Sequence, residues 1–145
     1  MANSCDTSAT GIAECGASRS KRLLVVDDEP EVARIIERVA EELRFQVHSL
    51  SDSARFEAHF QAFNPSIIFL DINMPGRDGL ELIACLAASN YQGKVVLMTG
   101  YDPRYMQMSS TIGTARNLVI AGTLGKPFRR QQILELLARL STTTN

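Results

Sequence analysis

Hydrophobic positions from Lys21 onward alternate between two patterns. Short apolar or β-branched runs, which predict strands, occur at Leu23–Val26, Ser66–Leu70, Lys94–Met98 and Leu118–Leu124. Phe45–Leu50 alternates less cleanly and predicts a strand at an edge of the sheet. Because the other runs are apolar at consecutive positions, these strands are predicted to be buried on both faces, as in a parallel sheet.

Segments with helical periodicity lie between the predicted strands. Their apolar faces are Val32, Ile35, Ile36, Val39 and Leu43; Phe56, Phe60 and Phe63; Leu82, Ile83 and Leu86; and Ile133, Leu136, Leu137 and Leu140. Asp102 and Pro103 predict the start of a further helix that runs to about Arg116, with Asn117 as its left-handed cap. Five strand-helix units with right-handed crossovers predict a doubly wound α/β domain, a five-stranded parallel sheet with five helices.

Composition restricts the class of protein further. The chain has 145 residues and a net charge of -1, which does not favour direct binding to nucleic acid. No apolar stretch approaches the roughly 20 residues of a membrane span, so we expect no membrane association. The polar residues 1–20 are predicted to be a disordered tail, 21–140 a single domain and 141–145 a C-terminal tail, which leaves no room for an effector domain.

The cysteines and histidines do not predict a metal cluster. Cys5, Cys15 and Cys85 are odd in number and fit no zinc-binding spacing, which favours a reduced, cytoplasmic protein. His48 and His59 are isolated in the sequence, so we expect no site built from them.

Charged and polar side chains follow four of the predicted strands. Asp27, Asp28 and Glu29 follow the first strand, Asp71 the third, Thr99 the fourth and Lys126 the fifth. Ligands of open parallel sheets bind at the carboxyl ends of the strands, so these groups are predicted to converge at one edge. Each group alone has a simpler explanation as a cap, a turn or a surface residue. Their joint placement at four strand ends favours a site.

The predicted site is acidic and requires positive charge. Two carboxylates about 4 Å apart repel by about 4 kcal/mol at an effective dielectric constant near 20. Lys126 supplies one positive charge, and a divalent cation with oxygen ligands, Mg²⁺, is predicted to supply the rest. One aspartate could then attack a phosphoryl group and form an acyl phosphate, while Thr99 donates a hydrogen bond to the product.

Four segments carry a family resemblance. They are Val25-Val26-Asp27-Asp28-Glu29-Pro30, Asp71-x-x-Met74-Pro75-Gly76-x-Asp78-Gly79, Val96-Leu97-Met98-Thr99-Gly100 and Gly125-Lys126-Pro127-Phe128. Over about residues 21–140 the chain resembles the receiver domain of two-component response regulators, either a chemotaxis-type single domain or part of a larger regulator. The resemblance implies a flavodoxin-like sheet with the strand order 2-1-3-4-5.

The resemblance also implies a role for each matching residue. Asp71 would be the phosphoacceptor. Asp28, Asp71 and the backbone carbonyl of Asn73 would bind Mg²⁺, and Asp27 would support the ion through a water. Thr99 and Lys126 would bind the phosphoryl group, with Thr99 as the switch residue. Pro127 would follow Lys126 through a cis peptide bond.

Three features depart from the common receiver pattern or vary within it. Thr123 occupies the position where receivers usually have the aromatic residue that moves with the threonine, so the usual aromatic half of the switch is absent. Tyr101, two residues after Thr99, is a candidate for gating the site, and a surface tyrosine at a helix start explains it equally well. The segment Leu118–Phe128 is similar to receivers that precede cyclic-di-GMP phosphodiesterase domains.

The implied partners are proteins. A sensor histidine kinase or a histidine phosphotransfer protein would donate the phosphoryl group, and a downstream protein effector would read the phosphorylated state. The resemblance also implies a possible homodimer through helix 4, strand 5 and helix 5. We do not expect an enzyme in the ordinary sense, because the expected reaction modifies the protein itself.

Alternatives remain open at this point. One is a phosphorylation-independent interaction module with the receiver fold, and another is the receiver part of a cyclic-di-GMP signalling protein. A flavin- or nucleotide-binding enzyme would need a glycine-rich loop where the acidic loop stands. A phosphatase with an aspartate nucleophile would need a second aspartate at the position of Asn73.

Overall fold

Five parallel strands form the centre of the molecule in a computed structural model that describes residues 21–72, 79–100 and 116–142. The strands are β1 (Arg22–Val26), β2 (Gln46–Leu50), β3 (Ile67–Asp71), β4 (Lys94–Thr99) and β5 (Val119–Gly125). They lie in the order β2-β1-β3-β4-β5, as the family resemblance implied. All four pairings are parallel, which confirms the sheet type predicted from the apolar runs.

Burial follows the sequence pattern in β1, β3 and β4. It does not in β5, which was predicted to be buried on both faces but lies at an edge of the sheet and buries only Leu124. All five residues of β3 are buried, and so are the last four of β1 and the last five of β4. The edge strand β2 buries only Leu50 fully, which agrees with its weaker alternation in the sequence. Strands with helices on both faces have no solvent-facing side, so they require apolar residues at consecutive positions.

Four α-helices lie within the described residues. They are α1 (Pro30–Glu42), α2 (Phe56–Phe63), α3 (Gly79–Ala88) and α4 (Arg130–Thr142), and a 3-10 turn at Ser53–Arg55 precedes α2. The helix predicted from Asp102 to Arg116 lies outside the described residues, as do segments 1–20, 73–78 and 143–145. Asn117 has a φ of 70°, so its backbone is left-handed as predicted. The last helix, α4, extends into the segment 141–145 that was predicted to be a tail.

Two apolar layers hold the helices against the sheet. The helices α1 and α4 pack on one face, over Val25, Phe69 and Met98. The helices α2 and α3 pack on the other face, over Leu24, Ile68 and Leu97. Removal of this apolar surface from water is the main driving force for the fold.

The buried face of α1 differs from the prediction at one position. Ile35 was assigned to the apolar face, but it is 41% exposed, whereas Ala33, Ile36, Val39 and Ala40 are buried. The two alanines allow the helix backbone to approach the sheet closely. The buried stripe is therefore rotated toward them and away from Ile35.

A bulge in β5 was not predicted. Val95 pairs with Ile120 and Val96 pairs with Gly122, so Ala121 is an extra residue without a partner in β4. A Cβ atom added at Gly122 would lie 3.0 Å from Leu136 Cδ1, so a larger residue there would require the Leu136 side chain on α4 to shift. The extra residue changes the alternation of β5 and brings Gly125 opposite Thr99.

The two histidines are neighbours in the structure, although they appeared isolated in the sequence. His48 Nε2 on β2 lies 2.8 Å from His59 Nδ1 on α2, and the rings are 4.8 Å apart at their centroids. A hydrogen bond therefore joins the edge strand to the helix that covers it. Eleven residues separate the pair, and only the packing of α2 on the sheet brings them together.

Candidate functional site

Four strand ends place the predicted site residues at one edge of the sheet. Asp27 follows β1, Asp71 and Thr99 are the last residues of β3 and β4, and Lys126 follows β5. These four strands are neighbours in the sheet, and their carboxyl ends point the same way because all are parallel. We call Asp27, Asp28, Asp71 and Lys126 the acidic pocket.

Lys126 is the centre of this pocket. Its ammonium nitrogen Nζ lies 2.9 Å from Asp27 Oδ2, 3.0 Å from Asp71 Oδ2 and 2.8 Å from Glu29 Oε1. Its backbone N–H donates to the carbonyl oxygen of Thr99 at 2.7 Å, which fixes the start of the loop after β5. One cation therefore neutralises part of the charge of three carboxylates.

Asp27 is held rigidly and is almost fully buried. Its backbone N–H donates to the Leu50 carbonyl at 3.0 Å, and its Oδ1 accepts the backbone N–H of Glu29 at 2.9 Å. Burial raises the pKa of Asp27 to about 6 and the negative charge of Asp71 adds to the rise, against the lowering by the Glu29 N–H and by Lys126. Burial therefore disfavours the charged form of this carboxylate more than its polar neighbours favour it.

The surroundings of Lys126 favour its charged form, whereas those of Asp27 disfavour the charged form. Burial lowers its pKa, but the nearby carboxylates of Glu29, Asp27 and Asp71 outweigh this effect and raise the pKa above the usual value. Lys126 is therefore protonated at all physiological pH values and acts as a fixed charge.

The donor set fits a small hard cation. Asp27, Asp28 and Asp71 each offer a carboxylate oxygen, and these oxygens lie within 4.8 Å of one another. Asp27 Oδ2 is buried and forms an ion pair with Lys126, but the geometry of this contact is not that of a hydrogen bond. The oxygen therefore has lone pairs available for a metal ion. Oxygen ligands of this kind suit Mg²⁺. Asn73, whose carbonyl was predicted as a further ligand, lies outside the described residues.

The other residues predicted for the site are Thr99, Pro127, Thr123 and Tyr101. Thr99 is buried at the end of β4, next to the strand that carries Asp71. Pro127 follows Lys126 through a cis peptide bond. Thr123 is exposed on β5 and pairs with Leu97. Tyr101 lies outside the described residues.

Glu29 has a contact that the sequence did not predict. It was grouped with the acidic residues after β1 but received no role, whereas its side chain reaches Lys126 across 97 residues of sequence. Its position directly before the first helical residue, Pro30, was the available signal, because that position faces the carboxyl edge of the sheet. Its partner is determined by how the start of α1 packs beside the loop after β5.

The fold and pocket agree with the comparison to protein families. The family model of the response regulator receiver domain matches residues 23–138, so the chain belongs to this family. It is 28% identical over 120 residues to the chemotaxis protein CheY of Listeria monocytogenes, covering 81% of this chain and 96% of CheY. It is 29% identical over 122 residues to the transcriptional regulatory protein GlnL of Bacillus subtilis. That match covers 82% of this chain but only 37% of GlnL.

Solved structures lead to the same assignment. A signal receiver domain of a response regulator from Bermanella marisrubri has a TM-score of 0.72 and 32% identity, covering 83% of this chain and 98% of that one. A response regulator from Colwellia psychrerythraea has a TM-score of 0.73 and 25% identity, covering 86% and 99%. Relatives thus include both proteins of about this length and longer regulators. No helix among the described residues is long and apolar enough to cross a membrane.

Proposed function

We propose that this receiver domain accepts a phosphoryl group on Asp71 from a phosphohistidine of a sensor kinase or a histidine phosphotransfer protein. The observation that carries the proposal is the contact of Lys126 Nζ with Asp71 Oδ2 at 3.0 Å beside the carboxylate of Asp27. A nucleophile, a fixed cation and a set of oxygen ligands meet there. The same residues would neutralise the charge of an incoming phosphoryl group.

In the proposed step a carboxylate oxygen of Asp71 attacks phosphorus. The new oxygen–phosphorus bond forms as the phosphorus–nitrogen bond to the donor imidazole breaks, and the imidazole leaves with the electron pair. Lys126 holds the Asp71 carboxylate in place before the step and offers its ammonium to the phosphoryl oxygens afterwards. Bound Mg²⁺ would supply Lewis-acid polarisation of these oxygens, with Asp27, Asp28 and Asp71 as the residues that hold it.

The proposed output is a change of surface near β5. Thr99 lies at the end of β4, paired with the end of β5, so a hydroxyl that moves toward Asp71 would act directly on that edge. Exposed Val119 and Thr123 belong to the strand, and α4 borders it. An effector protein or a second copy of the chain would bind this face.

The proposal treats the chain as a switch and not as an enzyme that turns over a separate substrate. The proposed location is the cytoplasm, which agrees with cysteines that fit no disulfide framework in the sequence. Attachment to a further domain, including one for cyclic-di-GMP, remains compatible with the longer relatives. A phosphorylation-independent module is the main alternative, and it would have no use for the acidic pocket.

The test is phosphorylation by a small acyl-phosphate donor with Mg²⁺, followed by intact mass measurement. We expect one phosphoryl adduct that requires Mg²⁺, disappears in Asp71→Ala and persists in Asp52→Ala. Asp52 is a suitable control because it is an exposed aspartate that accepts the backbone N–H of Ala54. Absence of an adduct in the wild type, or its survival in Asp71→Ala, would contradict the proposal.

A further inference from the structure

Lys126 has as many carboxylate partners as donors. An ammonium group carries three N–H donors, and three carboxylate oxygens lie 2.8 to 3.0 Å from Nζ. A phosphoryl group on Asp71 would bring three further acceptor oxygens and a charge of roughly -1.5 to -2 to the same place. The first phosphoryl oxygen takes over the contact that the Asp71 carboxylate makes with Lys126 Nζ, and a second phosphoryl oxygen that binds Nζ displaces either Asp27 or Glu29.

The three partners differ in their freedom to leave. The side chains of Asp27 and Asp71 are 0% and 3% exposed, whereas the side chain of Glu29 is 59% exposed. Withdrawal of Glu29 returns its carboxylate to water at little cost, while withdrawal of Asp27 would leave a charge buried without a partner. Glu29 is thus the partner that a phosphoryl group would displace.

The backbone of Glu29 would not move in this exchange. Its N–H donates to Asp27 Oδ1 at 2.9 Å, and its carbonyl oxygen accepts the N–H groups of Val32 and Ala33 at the start of α1. Only the side-chain torsions need to change. The exchange is therefore local, and it alters the surface at the N-terminus of α1.

We propose that Glu29 is a placeholder for the phosphoryl group: its carboxylate occupies Lys126 in the unphosphorylated protein and is displaced when Asp71 is phosphorylated. This role rests on the proposed function of Asp71. Glu29 is a positioning residue, since it acts through Lys126 and does not contact the reacting atoms. Its negative charge opposes the phosphorylated state and limits the population of that state.

The experiment compares three variants with the wild type under identical donor and Mg²⁺ concentrations. Glu29→Gln removes the charge, and Glu29→Asp keeps the charge but shortens the side chain. Glu31→Gln removes an exposed charge from the first turn of α1, and Glu31 is not among the ion-pair partners of Lys126 in the described residues. Intact mass gives the phosphorylated fraction at steady state and its decay after removal of the donor.

We expect Glu29→Gln and Glu29→Asp to raise the ratio of phosphorylated to unphosphorylated protein about two- to fivefold, the range that an exposed ion pair contributes. Glu31→Gln should stay near the wild type. Equal changes in Glu29→Gln and Glu31→Gln would mean a general charge effect and would overturn the placeholder. If Glu29→Asp behaves like the wild type, contact of this side chain with Lys126 is not what limits phosphorylation, and the placeholder is overturned as well.

A second measurement is independent of phosphorylation. The ¹⁵N–¹H NMR signal of the Lys126 ammonium, recorded in EDTA, should shift and exchange faster with water in Glu29→Gln but not in Glu31→Gln. An unchanged signal would contradict the contact itself. If the wild type takes no phosphoryl group, the proposed function of Asp71 fails. If it does and the Glu29 variants match it, only the placeholder fails.

Discussion

The two ends of the sheet differ in the polar groups that they bury. At the carboxyl end, Asp27 and Asp71 are buried beside each other, and the described residues place one ammonium, that of Lys126, between them. At the amino end, the buried Tyr91 donates its hydroxyl to the Pro65 carbonyl at 2.9 Å, and Ser66 Oγ donates to the Arg22 carbonyl at 3.0 Å. The first end keeps charge in place at a cost in stability, whereas the second uses neutral, satisfied hydrogen bonds.

This difference shows how the fold can accommodate buried carboxylates at one end of the sheet. The pKa of Asp27 is raised, which means that its ionisation opposes folding. The pKa of Tyr91 is also raised by burial, but a neutral phenol is its working form, so this group remains a satisfied donor at ordinary pH. Burial therefore acts differently at the two ends: it opposes the charged form of Asp27 and leaves Tyr91 in its neutral form.

The largest expected loss of stability comes from a substitution that disturbs the packing at the amino end of the sheet. A Cβ atom at position 93 would lie 2.2 Å from the Tyr91 hydroxyl oxygen and 2.6 Å from the Ser66 carbonyl oxygen. Gly93→Ala should therefore lower the free energy of unfolding by about 3 kcal/mol, measured by urea denaturation. Gly125→Ala at the carboxyl end is the matched control, because nothing lies within 4 Å of its added Cβ. Equal losses in both variants would refute the contrast between the ends.

A gain in stability is expected at the carboxyl end. In the folded state the pKa of Asp27 is about 6 instead of 3.8, so the folded protein binds this proton more tightly than the unfolded chain does. The stability linked to this proton is full below pH 3.8 and is lost as the pH rises to about 6. Asp27→Asn should thus be more stable than the wild type by about 3 kcal/mol at pH 7.5 in EDTA.

The pH dependence of this gain provides its control. Urea denaturation of both proteins between pH 4 and pH 7.5 should show the difference appearing as the pH rises through the interval around pH 5. A difference that is constant over this range would mean that ionisation of Asp27 is not its cause.

The smallest effect concerns a single hydrogen bond at the amino end. Tyr91→Phe keeps the ring that packs edge-on against Phe60 and removes only the donor to Pro65. We expect a loss of about 1 kcal/mol in the free energy of unfolding, because a buried carbonyl oxygen loses its partner. Phosphorylation of Asp71 should be unaffected. An altered phosphorylated fraction would show that the two ends are coupled.

The sequence by itself determined the architecture and the convergence of the site. Apolar runs identified four strands, and a weaker alternation identified the edge strand β2. The polar residues after the strands identified Asp27, Asp71, Thr99 and Lys126, because parallel strands bring their carboxyl ends to one edge. Both signals are local, since the alternation of burial and the end of a strand can be recognised from neighbouring residues.

Only the tertiary structure decided which groups touch. The contact of Glu29 with Lys126, the pairing of His48 with His59 and the bulge at Ala121 depend on how helices and strands pack. The burial that raises the pKa of Asp27 also arises from packing. A sequence pattern specifies the face on which a residue lies. A contact distance and a burial-induced pKa depend on residues far away along the chain, so they appear only once the chain has folded.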